Sequence, residues 1–411
     1  MSADVNASPD VLGRRQYRNG EKVFRASDPA WQAAADNGLI GIRAAGSSNN
    51  RLVVSDTGHE FVSLCSSAYL GLNYHPKVVA GAIEALRESG TTGLMVSNTR
   101  IRHELLGRLE DELSDLFQAQ VLTGVSCSAL TFGILPLLAS GNLAPGGPRV
   151  MVFDRFAHLS MAYVKPIVAD EALVLTSPHN DLNFLEDVCR KYPSVAYVAD
   201  GAYSMGGTAD LAGLRNLQDR YGLFLYLDDS HSLSIEGVRG EGFVRSQMSL
   251  NPLTIVVSTL HKGFGASGGA AMLGRPEWFN ILQRHAGPVG WSQNMEITSV
   301  GAALASAAIH RSPELGELQQ QLQRNIEYFD RRLPTSFSGN GLPVRVIPIG
   351  ESDAAIKASA ELFRRGFYSS AVFFPIVPHG EAGLRVMIRA DISEQELGRF
   401  VDNVKELTDA E

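Results

Sequence analysis

Lys262 is the side chain in this sequence best placed for covalent chemistry. It stands in Thr259-Leu260-His261-Lys262-Gly263-Phe264-Gly265, after the β-forming run Leu253-Thr254-Ile255-Val256-Val257-Ser258 and before Gly268 and Gly269. A lysine at a strand end, with glycines keeping the nearby backbone bare, can reach a buried ligand. Its amine can form a Schiff base with an aldehyde and then move a proton. A lone lysine is more often a surface loop residue, so the reading depends on its neighbours. Thr259 adds a hydroxyl suited to a phosphate. An earlier apolar run ends in Leu227-Asp228-Asp229-Ser230-His231. Asp228 can hold a pyridinium nitrogen charged, and His231, three residues on, can reach a phenolic oxygen. Asp229 is the more natural helix cap of the two acids. An aldehyde-binding amine and a carboxylate for a ring nitrogen are the two parts pyridoxal 5'-phosphate (PLP) needs.

Further groups follow other strand-like runs. Ser126-Cys127-Ser128-Ala129 precedes an apolar helix, whose first N–H groups and dipole attract a phosphate, although an ordinary N-cap by Ser126 or Ser128 explains the same residues. His158, in Asp154-Arg155-Phe156-Ala157-His158-Leu159-Ser160, can stack on a planar ring. Pro178-His179-Asn180-Asp181 reads as a helix-capping turn.

The elements that must position these groups alternate. Residues 51–55 and 59–64 flank Asp56-Thr57-Gly58 as a hairpin. Helical spacing predicts helices over 78–89 and 103–117. Short apolar runs at 150–153, 173–175, 195–198, 223–227 and 255–257, separated by helix-length segments, predict a mainly parallel sheet covered on both faces. Ligands of such sheets bind beyond the strands' carboxyl ends, where the polar groups above fall. Past residue 302 come a long helix through Leu315, Leu318, Leu322 and Ile326, β-runs at 344–347 and 384–388, and a final helix over 394–407. The expected division is an N-terminal arm and hairpin (1–65), a large α/β domain (66–301) and a smaller α+β domain (302–411). The polar stretch up to about Gly46 is either an arm packing on something else, such as a second subunit, or a disordered terminus.

The length of 411 residues favours two structural units, and 45% hydrophobic with 19% charged residues fits a globular protein. A net charge of −8 gives no general attraction to nucleic acid or anionic membrane. Cys65, Cys127 and Cys189 are odd in number and far apart, so neither a disulfide framework nor a cysteine metal site is expected, and a reducing cytoplasm is the expected compartment. The first residues lack the pattern of a secretory signal, and no apolar run has membrane-spanning length.

Taken in order, these motifs resemble the α-oxoamine synthase family of fold-type-I PLP-dependent transferases. The resemblance runs from about Ser66 to the C-terminus. It is carried by Tyr69-Leu70-Gly71-Leu72 with His75-Pro76, Asp154 through Ser160, His179-Asn180-Asp181, Tyr203-Ser204-Met205-Gly206-Gly207, Leu227 through Ser232, and Thr259 through Gly269. It implies that Lys262 holds PLP, Asp228 pairs with the ring nitrogen, His231 contacts the phenolic oxygen, and His158 stacks on the ring and assists the condensation. Ser204 would lie near the cofactor. Ser126, Cys127, Ser128 and Thr259 would surround the phosphate, joined by Gln293 from a second subunit. Arg385, in Leu384-Arg385-Val386, would grip the substrate carboxylate through paired donors, with Arg389 as its rival. The implied reaction condenses an amino acid with an acyl-CoA or acyl-carrier-protein thioester, decarboxylatively, in a cytoplasmic homodimer with shared sites. An aminotransferase or another PLP carbon–carbon bond-forming enzyme is the alternative on this scaffold, and a non-catalytic binding protein leaves Lys262 with Asp228 unexplained. Four departures bear on substrate. Ser67-Ala68 replace the family's Asn-Asn or Asn-Asp, so Ser67 would face the amino acid. Residues 93–100 look closer to the autoinducer synthase branch. Cys127 replaces a glycine, and Gln293 replaces a threonine.

Overall fold

The computed structural model describes residues 20–46, 51–143 and 149–408. Residues 1–19 of the N-terminal arm lie outside them. The rest of the arm forms the helix Gly20–Asp36 and strand β1 (Ala44–Gly46), and it packs on the C-terminal part of its own chain. Ala34 and Leu39 are buried with Ala355, Ile356, Ala360 and Phe373, and the Trp31 ring meets Phe373 edge-on at 4.9 Å. The hairpin forms as β2 (Leu52–Val54) and β3 (Glu60–Ser63), antiparallel, with Leu52 opposite Phe61.

Seven strands make the main sheet: β4 (Gln120–Gly124), β5 (Val150–Asp154), β6 (Val174–Ser177), β7 (Val195–Asp200), β8 (Phe224–Asp228), β9 (Thr254–Thr259) and β10 (Gly269–Leu273). Their order is β4-β10-β9-β8-β7-β5-β6, parallel through β6, β5, β7, β8 and β9, with β10 antiparallel between β9 and β4. All five apolar runs are strands, as their near-continuous hydrophobicity requires of a sheet buried on both faces. One face packs on the helix Glu104–Phe117, the other on Cys127–Ala139 and Leu159–Glu171. The helix expected over 78–89 spans Pro76–Ser89, with His75 as N-cap and Pro76 in its first turn.

The C-terminal part adds β11 (Val344–Gly350), β12 (Phe367–Tyr368), β13 (Ser370–Val372) and β14 (Ala382–Met387), with the helices Pro313–Arg332, Ser352–Arg364 and Glu394–Thr408. The strands β11, β14 and β13 form one sheet, while β12 pairs in parallel with β3 of the N-terminal hairpin. The main sheet delivers Asp154, Asp200, Asp228 and Thr259 as the last residues of β5, β7, β8 and β9.

Candidate active site

The glycines after Lys262 fold its loop back on itself. Leu260 N donates to Gly268 O and Ala266 N to Leu260 O, each at 2.9 Å. Gly265 sits at φ +76°, where a Cβ would lie 2.7 Å from the Leu72 carbonyl carbon, so only glycine fits there without displacing the chain. Lys262 Nζ lies 2.8 Å from His231 Nε2. His231 Nδ1 in turn lies 2.6 Å from the Tyr69 hydroxyl. Burial lowers the Lys262 pKa; Arg385 acts in the same sense, and Asp228, Asp200 and Cys127 oppose it. Burial also pushes His231 well below the ordinary imidazole range, helped by Lys262, Arg385 and His158.

Asp228 is buried, and its carboxylate accepts from Ser230 N at 3.0 Å and from the Cys127 thiol at 3.5 Å. Burial, then Asp228, raises the Cys127 pKa, so the group contributes a neutral thiol. Asp229 is not the N-cap of a helix: its carboxylate accepts from Val244 N at 2.9 Å, a first-turn amide of the helix Gly242–Gln247, whose N-cap position is Glu241. Buried there, its pKa is pushed up to about 7. Ser126 is the N-cap of Cys127–Ala139, taking Ala129 N at 3.1 Å. Cys127 N and Ser128 N are therefore first-turn amides with no acceptor inside the helix. The hydroxyl of Thr259 donates to Gly268 O at 3.2 Å and accepts from His261 N.

His158 N-caps the helix Leu159–Glu171 through Nδ1, which accepts from Ser160 N at 3.3 Å. The residue as a whole keeps solvent exposure, while its Nδ1 is part-buried against Ser160 Oγ at 2.9 Å. Desolvation lowers its pKa, Lys262 and Arg385 add to that, and Asp228 opposes them. The His-Asn-Asp turn hangs on Asp154, whose buried carboxylate accepts from Phe156 N, His179 Nδ1, Asn180 N and the Tyr197 hydroxyl at 2.8–3.1 Å. The turn's Asp181 then caps Leu182–Lys191.

The two arginines divide cleanly. Arg389 is consumed by Asp391 (2.7 and 3.1 Å) and by Ser63 O (3.0 Å). Arg385, on β14, has no side-chain partner among the described residues, and its Nε is buried. Its charge is felt at Tyr69, His158, His231 and Lys262. Ser67 lines a cavity of about 520 Å³ with Ser66, Asn73, His261, Ser267 and Thr298, beside the lysine loop. Ser204 is partly buried in the turn after β7. Gln293 is exposed; Trp291, two residues before it, stacks under Arg100 at 5.8 Å. Among the described residues no cluster of His, Cys, Asp or Glu has metal-binding geometry, and no helix is long and apolar enough to cross a membrane.

Two residues of this centre were not picked out as site residues from sequence. Tyr69 figured only as part of Tyr69-Leu70-Gly71-Leu72, and it is fully buried against His231. Asp200 ends β7 beside Asp228, and its Oδ2 is buried without a partner. Its carboxyl accepts a bond from the His158 backbone, while burial and then Asp228 raise its pKa. Its signal was present: like Asp154 and Asp228, it is an aspartate closing an apolar run.

The sequence model of the class I and II aminotransferases matches residues 59–404. The 8-amino-7-oxononanoate synthase of Geobacter sulfurreducens is 31% identical over 368 residues, covering 87% of this chain and 90% of that protein. The chain belongs to the α-oxoamine synthase family. The 8-amino-7-oxononanoate synthase of Geobacter metallireducens is 29% identical over a similar span. Among solved structures, serine palmitoyltransferase of Sphingomonas wittichii superposes with a TM-score of 0.82 at 18% identity, covering 94% of this chain and 98% of that one. The 8-amino-7-oxononanoate synthase of Francisella tularensis gives 0.70 at 17% identity, covering 85% and 98%. These superpositions establish the fold-type-I transferase fold.

The residues present fit the cofactor of an α-oxoamine synthase. A Cβ on Gly269 would stand 2.5 Å from Cys127 N, so the backbone beside the first-turn amides is kept clear. The buried carboxylate of Asp228, the Lys262 amine and the His158 ring are of the types that could serve a ring nitrogen, an aldehyde and a stacking surface.

Proposed function

We propose that this protein is a PLP-dependent acyltransferase that condenses an amino acid with an acyl thioester and releases CO2 and a thiol, leaving an α-amino ketone. The observation that carries this reading is the Lys262 amine, held 2.8 Å from His231 and acted on by the charges of a buried Asp228 and an unpaired Arg385. Bound here, PLP would supply an aldehyde for Lys262 and an electron sink for the substrate α-carbon. The chain's residues do the rest. The first-turn amides of Cys127 and Ser128, with Thr259, hold the phosphate. Asp228 keeps the ring nitrogen charged in a site where water cannot screen it. Arg385 receives the amino acid's carboxylate through two parallel N–H donors. With its pKa lowered by burial, Lys262 can take the α-proton, and His158 covers the opposite ring face as a second acid–base group. The pair from the α-C–H bond makes the new bond to the acyl carbon as the thiolate leaves, and the pair freed when CO2 departs takes the proton back from Lys262.

The finer assignments rest on support of different kinds. Ser67 in the 520 Å³ cavity favours contact with the amino acid or the thioester arm. Leu159, Tyr163 and Ile167, 61%, 65% and 48% exposed at four-residue spacing on one helix, form an apolar stripe suited to a second copy of the chain. A homodimer would also bring Gln293 to the partner's phosphate.

The test is a screen of amino acids against acyl thioesters with PLP-reconstituted protein, following free thiol. Borohydride reduction should place the label on Lys262, and Lys262→Ala should lose both label and thiol release while remaining folded. Amino-acid-dependent formation of pyridoxamine phosphate with a keto acid, and no thiol, would instead establish an aminotransferase.

A further inference from the structure

Tyr69, His231 and Lys262 form a buried line of hydrogen-bonding groups whose protons are interdependent. The Tyr69 hydroxyl has two acceptors in reach, His231 Nδ1 at 2.6 Å and Met387 Sδ at 3.6 Å. A thioether is a weak acceptor and an imidazole nitrogen a strong one, so the single O–H goes to Nδ1. Nδ1 is then the bare nitrogen, and the ring proton sits on Nε2, facing Lys262 Nζ at 2.8 Å. An ammonium has three donors and no acceptor, so it cannot receive that proton; a neutral amine can. The opposite arrangement requires the phenol to turn its proton to sulfur.

We propose that Tyr69 is a positioning residue that locks His231 as the Nε2–H tautomer. In this role it favours the neutral Lys262 amine before the cofactor is captured, and afterwards it aims an N–H donor at the phenolic oxygen. The second half rests on the function proposed above; the first half does not. The charged and titratable groups facing the line are Asp228, Asp200, Cys127, Arg385 and His158, and all remain in place when only the phenolic oxygen is removed.

The experiment uses Tyr69→Phe, which keeps the buried ring, with Met387→Leu as control. In the cofactor-free protein with ring-15N histidine, assigned by His231→Gln, wild type should show Nδ1 unprotonated and Nε2 protonated. Tyr69→Phe should show the two tautomers mixed, and Met387→Leu should match wild type. In the PLP-loaded protein, Tyr69→Phe should raise the pH midpoint of the near-visible band, because an N–H donor stabilises the phenolic oxygen most when the neighbouring nitrogen has lost its proton. An Nδ1–H tautomer in wild type, or an unchanged tautomer in Tyr69→Phe, overturns the proposal even if Lys262 still takes the borohydride label. A mixed tautomer in Tyr69→Phe with no label on Lys262 supports the lock and defeats the PLP reading alone.

Discussion

Arg385 and Arg389 lie four residues apart, and their replacement by methionine should have opposite consequences. Arg389 is 2% exposed, grips Asp391 through two nitrogens and donates to Ser63 O. Arg389→Met strands the Asp391 carboxylate in a poorly solvated place, and removing one partner of such a pair costs about 3–5 kcal/mol. Arg385 has no partner to strand among the described residues. Its charge is held in a crowded site, where burial lowers its pKa. Arg385→Met should leave stability unchanged or raise it by about 1 kcal/mol. Catalysis reverses the order. Losing one side of a desolvated, hydrogen-bonded ion pair with the substrate carboxylate costs about 2–5 kcal/mol, a fall of roughly 30- to 5,000-fold in kcat/KM. Arg385→Lys should fall between, since it keeps the charge and loses the fork. Urea unfolding of the cofactor-free proteins and initial rates against amino-acid concentration measure both quantities. If Arg385→Met unfolds as readily as Arg389→Met while its kcat/KM stays at the wild-type value, the assignment of Arg385 to the substrate is refuted.

Two further outcomes follow from the geometry. Gly269→Ala should weaken PLP affinity tenfold or more, about 1.4 kcal/mol, by pressing a methyl toward Cys127 N; equilibrium titration of the near-visible band measures it, and wild-type affinity would remove the amide from the phosphate site. His310, buried between Ser306 O and the Ser234 hydroxyl, has its pKa lowered from 6.5 to about 4 by burial. The unfolded chain binds this proton near pH 6.5 and the folded one only near 4, so stability is lost as pH falls across that window, by about 3 kcal/mol at about 1.36 kcal/mol per unit. Urea midpoints from pH 7.5 downward should show this slope flattened in His310→Gln.

Much of this architecture was readable from residue order, because parallel strands buried on both faces leave continuous apolar runs and carry their functional groups at one end. β4 and β10 were not among the expected strands. Gln120–Gly124 is short and sits between a helix and the small-residue Ser126-Cys127-Ser128 segment, and Gly269–Leu273 opens on the glycines that read as a loop around Lys262. In the site, Lys262, Asp228, His231 and Thr259 announced themselves through spacing within single loops. Tyr69 did not, because its partner is 162 residues away and an aromatic residue in an apolar segment reads as core. Arg385 and Arg389 could not be separated in sequence either; only the three-dimensional position of Asp391 and Ser63 shows which guanidinium is already occupied.

The pairing of β3 with β12 sets an order on biosynthesis. A nascent chain can complete β4 through β10 once residue 273 has left the ribosome, since every strand of that sheet is then present. The N-terminal hairpin can pair β2 with β3 locally, but it cannot dock. Ser63 O waits for Arg389, 326 residues downstream, and β3 waits for β12. The first strands to emerge are thus among the last to find their places, and until then their apolar face needs shelter from other chains.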